Sequence, residues 1–297
     1  MKVFDNLFQY DRPETKGEFI FFKLFEFLIL YQVLFFAWDW GNYIPALGDV
    51  ILPLGIAHYL DISFMFGWIA WLNAALITLF VLWGFLRQQR FPYFISFLLF
   101  HLQYTARFSQ GEISHGANLT GMSLLALGLA YAVFSTPVQR RKTTIGLVLF
   151  FVGIGYTSAA FTKLIGTGFT WPDGRHLWLW IAERATDRLS QSGSFQFNAI
   201  QEIVLQNYGV ATLFLVAGWI TEFLGFALWF RKIRSFIAVA LIGLHFGVLI
   251  SMNISFSAFV EILIIIGFPW YKLFDFLLRK KPDSMFNHFI EKQLGYR

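Results

Sequence analysis

Apolar runs of membrane-spanning length recur along this chain and leave it few folds to choose from. Phe19 to Trp40, Phe64 to Leu86, Phe91 to Phe108, Ala117 to Phe134, Thr143 to Phe161, Tyr208 to Phe230, Ser235 to Met252 and Phe256 to Phe274 are each mostly apolar. A bilayer core of about 30 Å is crossed by roughly 20 apolar residues in a helix, which satisfies its own backbone polar groups. Only 14% of residues are charged and 57% are hydrophobic, whereas a soluble domain carries about 25% charge. The expectation is an all-α polytopic integral membrane helix bundle of about eight transmembrane helices. A cytoplasmic amino-terminal segment (1–18), a transmembrane domain (19–279) and a cytoplasmic tail (280–297) complete it.

The connections predict orientation, because cytoplasmic loops are enriched in Lys and Arg. Arg87 and Arg90 follow the second run, Arg140, Arg141 and Lys142 the fourth, Arg231, Lys232 and Arg234 the sixth, and Arg279, Lys280 and Lys281 the last. Gly41 to Ser63 and Met252 to Ser255 carry neither residue. This alternation places both termini in the cytoplasm, in a membrane expected to be a bacterial inner membrane. Met1 to Glu18 is too polar for a signal peptide, so the first run is expected to stay as an anchor. The net charge of +5 is dispersed in these short clusters and forms no continuous basic stripe, which argues against nucleic-acid binding. The expected partner is the lipid bilayer.

Thr162 to Asn207 is too long for a connector and falls on the extracytoplasmic side. Trp171, Pro172, Asp173 and Gly174 form a turn signal there, followed by the tryptophan-rich His176 to Ile181. Indole rings favour the membrane interface, so a short interfacial helix is expected.

Ionisable residues inside a membrane are expensive and default to a functional reading with a partner. His101 lies eleven residues beyond Arg90 and His245 eleven beyond Arg234, about 16 Å from the cytoplasmic edge. Glu222 reaches a similar depth on an adjacent antiparallel run, so a Glu222–His245 pair is geometrically cheap; its bland counterpart is a hydrogen bond joining two helices. Lys23 and Glu26, one turn apart, read as a structural pair. Tyr104, Arg107, Glu112, His115 and Asn118 lie further out. Lys163 ends GIGYTSAAFTKL, whose Gly153, Gly155, Ser158, Ala159 and Ala160 permit close approach of a helix or a flat ligand. In a dehydrated pocket a lysine becomes a usable general base; at a helix end it more often snorkels to the interface. The chain has no cysteine, and its histidines are not spaced as metal ligands, so no metal site is expected. No phosphate loop or nucleophile elbow occurs.

Lys163 and Leu164 followed by Trp171, Asp173 and Gly174, then a helix with a central Glu222, then His245 leading through LHFGVLISMNISFSAF into a Phe-rich run, resemble the HTTM family, the transmembrane domain shared with vitamin K-dependent gamma-carboxylase. The resemblance implies that Lys163 matches the lysine that deprotonates a reduced quinone. Thr162 stands where that family has a second lysine, the lysine-to-tryptophan spacing is longer, and a large carboxyl-terminal substrate-binding portion is not present, so carboxylation of a protein is not implied. Lys163, Glu222 and His245 are then the catalytic candidates. Trp171, Asp173, Gly174, Trp178, His101 and Arg107 are the ligand-binding candidates, with a reduced quinone or similar lipid as ligand. Lys142 to Phe274 is also similar to the smaller DoxX-type four-helix proteins, which keeps a non-catalytic membrane module open. A proton-relaying transporter is the third class, without the inverted repeats such proteins show.

Overall fold

The computed structural model describes residues 2–10, 12–47, 52–53, 55–111, 116–194, 196–280 and 290–291. Among them there are twelve α-helices and no strand, so the chain is an all-α bundle. Six helices are long and apolar enough to cross a membrane, or seven if one broken pair counts as a single span. The run expected at Phe91–Phe108 does form a helix, Pro92–Ser109, but His101, Gln103 and Arg107 take it below the apolarity of the others. The last expected run is interrupted: one helix stops at Gly267 and the next begins at Trp270, because Pro269 supplies no amide donor. Glu112, His115 and most of the tail lie outside the described residues.

Two compact units share the chain, Met1–Val148 with Pro269–Arg297, and Leu149–Phe268. The first contains α1 (Lys2–Phe8), α2 (Lys16–Leu47), α3 (Ile69–Arg87), α4 (Pro92–Ser109), α5 (Gly116–Val133), the start of α6 (Pro137–Thr167) and α12 (Trp270–Arg279). Helix α2 is its axis, packing on α3, α4, α5 and α12. Its buried Phe22, Phe25, Ile29, Val33, Phe36, Trp40 and Ile44 recur every three or four residues, the spacing of one helix face. Leu24, Phe27, Tyr31 and Phe35 on the other face are exposed. Apolar residues on both faces mark a helix solvated by protein on one side and lipid on the other.

Polar side chains hold this unit together where water is absent. Gln103 donates to Ala37 O at 2.8 Å and accepts from Asn73 at 3.1 Å, and Gln110 donates to Ile44 O at 2.8 Å. Glu26, 1% exposed, receives Lys23 Nζ at 2.6 Å, the Tyr93 hydroxyl at 2.6 Å, Gln88 Nε2 at 3.1 Å and the Tyr131 hydroxyl at 3.3 Å. The amino-terminal segment is folded as well. Arg141 grips Glu14 with two bonds of 2.7 and 2.5 Å, Tyr10 meets Thr143 at 2.6 Å, and Lys142 donates to Gln9 O at 2.6 Å.

The second unit contains the rest of α6, α7 (Gly174–Ser192), α8 (Ala199–Gln206), α9 (Tyr208–Phe223) continued by a 3-10 turn (Leu224–Trp229), α10 (Arg234–Met252) and α11 (Ser257–Gly267). The expected short interfacial helix is thus two helices. Asp173 caps α7 by accepting from Arg175 N, Gly193 ends it at φ 71°, and Asn198 with Gln201 forms a capping box for α8. Leu177 and Ile181 of α7, Val204 of α8, and Ala211 and Leu215 of α9 make one apolar cluster, joined by Trp171, Trp178 and Trp180.

Candidate functional site

Tight packing between α6 and α9 positions the polar groups of the second unit. A Cβ on Gly153 would collide with Trp229 Nε1, and one on Gly225 would sit 2.5 Å from Tyr156 Cβ. The close approach expected of the glycine-rich stretch is therefore made by Gly153, while Gly155 faces nothing within 4 Å. Thr157 Oγ1 donates to Phe223 O at 3.2 Å and accepts from Phe226 N at 2.9 Å. That inserted hydroxyl occupies the point where α9 tightens into its 3-10 turn, a common cause of such a change.

Lys163 lies near the end of α6, and its ammonium is ion-paired with Glu222 of α9. The Lys163 and Glu222 side chains are 27% and 15% exposed. The ammonium also sits 4.8 Å above the Trp171 ring, which packs on Trp180 with centroids 5.9 Å apart.

His245 does not pair with Glu222, the arrangement that depth alone had made cheap. Its Nε2 is 2.5 Å from the Tyr156 hydroxyl, because Lys163 on the same α6 face takes the carboxylate. The His245 ring lies 5.0 and 5.5 Å from Phe256 and Phe259, and Tyr156 is 6.1 Å from Phe259. His245 is only 8% exposed, yet among the described residues its second ring nitrogen has no hydrogen-bond partner. Tyr156 was not singled out from the sequence. Its signal was its position seven residues before Lys163, two turns back on the same helix face and about 10 Å away. It lies within electrostatic reach of Glu222.

The other candidates have definite places. Asp173 caps α7, and the backbone amide of Arg175 holds its carboxyl below the usual value. Gly174 lets α7 start against α9: a Cβ there would come 2.7 Å from Tyr208 O and 2.8 Å from Ala211 Cβ. Trp178 Nε1 donates to Val204 O at 2.7 Å. His176 Nδ1 lies 2.8 Å from Trp171 O, which steadies the indole beneath Lys163. His101 and Arg107 belong to the first unit. His101 is exposed in a column of rings between Phe97 and Tyr104, and the Arg107 guanidinium stands 4.1 Å over Tyr43. Among the described residues no group of His, Cys, Asp or Glu has the arrangement of a metal site.

Comparison of the chain with protein-family models, with curated proteins and with solved structures found no match. The site therefore rests on its own geometry: an ion pair under a tryptophan, and a tyrosine–histidine pair two turns along the same helix, within a membrane protein.

Proposed function

We propose that the second unit binds a quinone-like or other amphipathic lipid ligand and acts on it as an oxidoreductase or transferase, with Lys163 as the base. The carrying observation is the pairing of Lys163 with Glu222 and of Tyr156 with His245 along one face of α6. Two polar pairs in an apolar setting are a large expense for mere packing. The unpartnered ring nitrogen of His245 is suited to a ligand carbonyl or hydroxyl, since a neutral imidazole donates or accepts according to its tautomer. The resemblance to the HTTM family supports the same reading. For Lys163 to act as a base its own proton must first pass to Glu222, its ion-pair partner.

The chain is placed in this reading in a bacterial inner membrane with both termini cytoplasmic, which the alternation of Lys and Arg supports. A second reading, a non-catalytic membrane module, is favoured by the internal satisfaction of both Lys163 and Glu222, as in polar contacts that only join helices.

Native mass spectrometry with lipid extraction, on the purified protein beside Lys163→Ala, separates the two. A quinone or isoprenoid kept by the parent and lost from a variant that is still folded supports the enzyme. Retention of bulk phospholipid alone by both removes the ligand and leaves the module.

A further inference from the structure

Helix α12 turns large apolar side chains away from the protein. Its ten residues, WYKLFDFLLR, turn Tyr271, Phe274, Asp275 and Leu278 toward the protein and leave Trp270, Leu273, Phe276 and Leu277 outermost. The inward face mixes Phe274 and Leu278 with the polar Asp275 and Tyr271. Asp275 Oδ1 accepts from Gly17 N at 2.7 Å, the Arg12 guanidinium stands 5.7 Å over the Tyr271 ring, and a Cβ at Gly17 would overlap Tyr271 O. The outward side chains are large and bare, with Phe276 54%, Leu277 51% and Leu273 45% exposed. Water does not favour that arrangement; hydrocarbon does.

Cations flank this apolar face. Lys272 and Arg279 are exposed and make no ion pair among the described residues, and Lys280 Nζ rests 4.5 Å from the Phe276 ring. The single carboxylate of the helix, Asp275, is turned inward. Ten residues of helix extend about 15 Å, half of a bilayer core, so α12 alone cannot span it. An apolar outer face with basic flanks is the pattern of a helix lying in an anionic membrane surface.

We infer that α12 lies in the headgroup region of the membrane, with Trp270, Leu273, Phe276 and Leu277 in the acyl boundary and Lys272, Arg279 and Lys280 holding anionic phospholipid headgroups. The assignment to the cytoplasmic leaflet rests on the orientation proposed above; the lipid contact itself does not. The basic cluster after the last apolar run therefore binds lipid as well as setting topology.

The absence of cysteine permits a direct test on the full chain. Leu273→Cys and Phe276→Cys, each carrying a nitroxide, are reconstituted in vesicles of phosphatidylcholine with or without phosphatidylglycerol. Collision with oxygen and with a water-soluble nickel chelate then reports depth. Both labels are expected at one shallow depth below the phosphates, and co-purified phosphatidylglycerol is expected to exceed phosphatidylcholine. In Lys272→Gln/Arg279→Gln/Lys280→Gln that preference falls by about fivefold for each neutralised residue, while the fold, which those side chains do not support, persists. Labels open to the nickel chelate would place α12 in water and overturn the inference. Labels shielded from both reagents would mean a protein partner or a second copy, and labels at different, increasing depths would mean a spanning helix; either overturns it. An unchanged lipid preference in the triple variant removes the anionic headgroup from the proposal. None of these readings depends on a ligand at Lys163.

Discussion

Removing one member of the Lys163–Glu222 pair strands the other in a mostly apolar setting. Loss of one partner from a buried pair costs about 3–5 kcal/mol, whereas an exposed pair contributes about 0–1 kcal/mol. With side chains 27% and 15% exposed, the pair lies between these limits, and a loss of about 2 kcal/mol is expected for Lys163→Met or Glu222→Met alone. The double variant Lys163→Met/Glu222→Met replaces both charges with flexible apolar chains and is expected to recover most of the loss, a coupling of about 1–2 kcal/mol. Thermal unfolding of the solubilised protein, followed by tryptophan fluorescence, reads all four corners of the cycle. Additive losses would mean that the two groups do not meet, and the site built on them would fall with that result. A double variant as stable as the parent but without its bound ligand would assign the pair to binding.

Other perturbations test the surrounding frame. Glu26→Ala withdraws the acceptor of four donors, Lys23, Tyr93, Gln88 and Tyr131, and should destabilise by about 3 kcal/mol or more, read as loss of folded protein on size-exclusion chromatography; a small change would mean that these donors have other partners. Gly225→Ala drives a methyl into Tyr156 and should cost about 1–3 kcal/mol of overpacking, with ligand retention falling along with melting temperature. For Asp173 the folded-state value is depressed by the Arg175 amide, so its contribution to α7 is complete above the ordinary aspartate value and is lost as pH falls through the depressed one. Hydrogen exchange across the first turn of α7 should accelerate in that acid range, and Asp173→Asn, which still caps but does not titrate, should flatten the response.

Much of the architecture was legible because lipid imposes a simple rule. A run of about 20 apolar residues has little choice but to form a helix; α4, α5, α9 with its 3-10 turn, and α10 lie within a residue or so of the expected ends, whereas α2 runs to Leu47, α3 starts at Ile69 and α6 spans Pro137–Thr167. The differences have local causes. His101, Gln103 and Arg107 make α4 more polar than its neighbours, and Pro269 divides the last run. Helix α7 extends to Ser192, its charged second half still burying Ala185 while Glu183 and Asp187 are exposed. Hydropathy missed the amino-terminal segment, whose contacts with Arg141, Lys142 and Thr143 lie more than a hundred residues away. Position along a helix was readable from residue counts, but the partner was not: Glu222 pairs with Lys163 and His245 with Tyr156.

That choice separates two kinds of buried polar cluster. Around Glu26 the bonds close on themselves. The one hydrogen of the Tyr131 hydroxyl is shared between Glu26 at 3.3 Å and Gln88 Oε1 at 2.5 Å, and Arg140 donates to Gln88 O at 2.9 Å while its guanidinium covers the Tyr131 ring at 5.1 Å. Such a cluster has nothing left to offer a ligand, and its function is to fix the ends of α3, α4, α5 and α6 against α2. The Tyr156–His245 pair is buried almost as deeply but leaves one ring nitrogen without a partner among the described residues. That remaining capacity is the physical reason to look for the ligand beside His245 first, with Lys163 two turns along α6 from Tyr156.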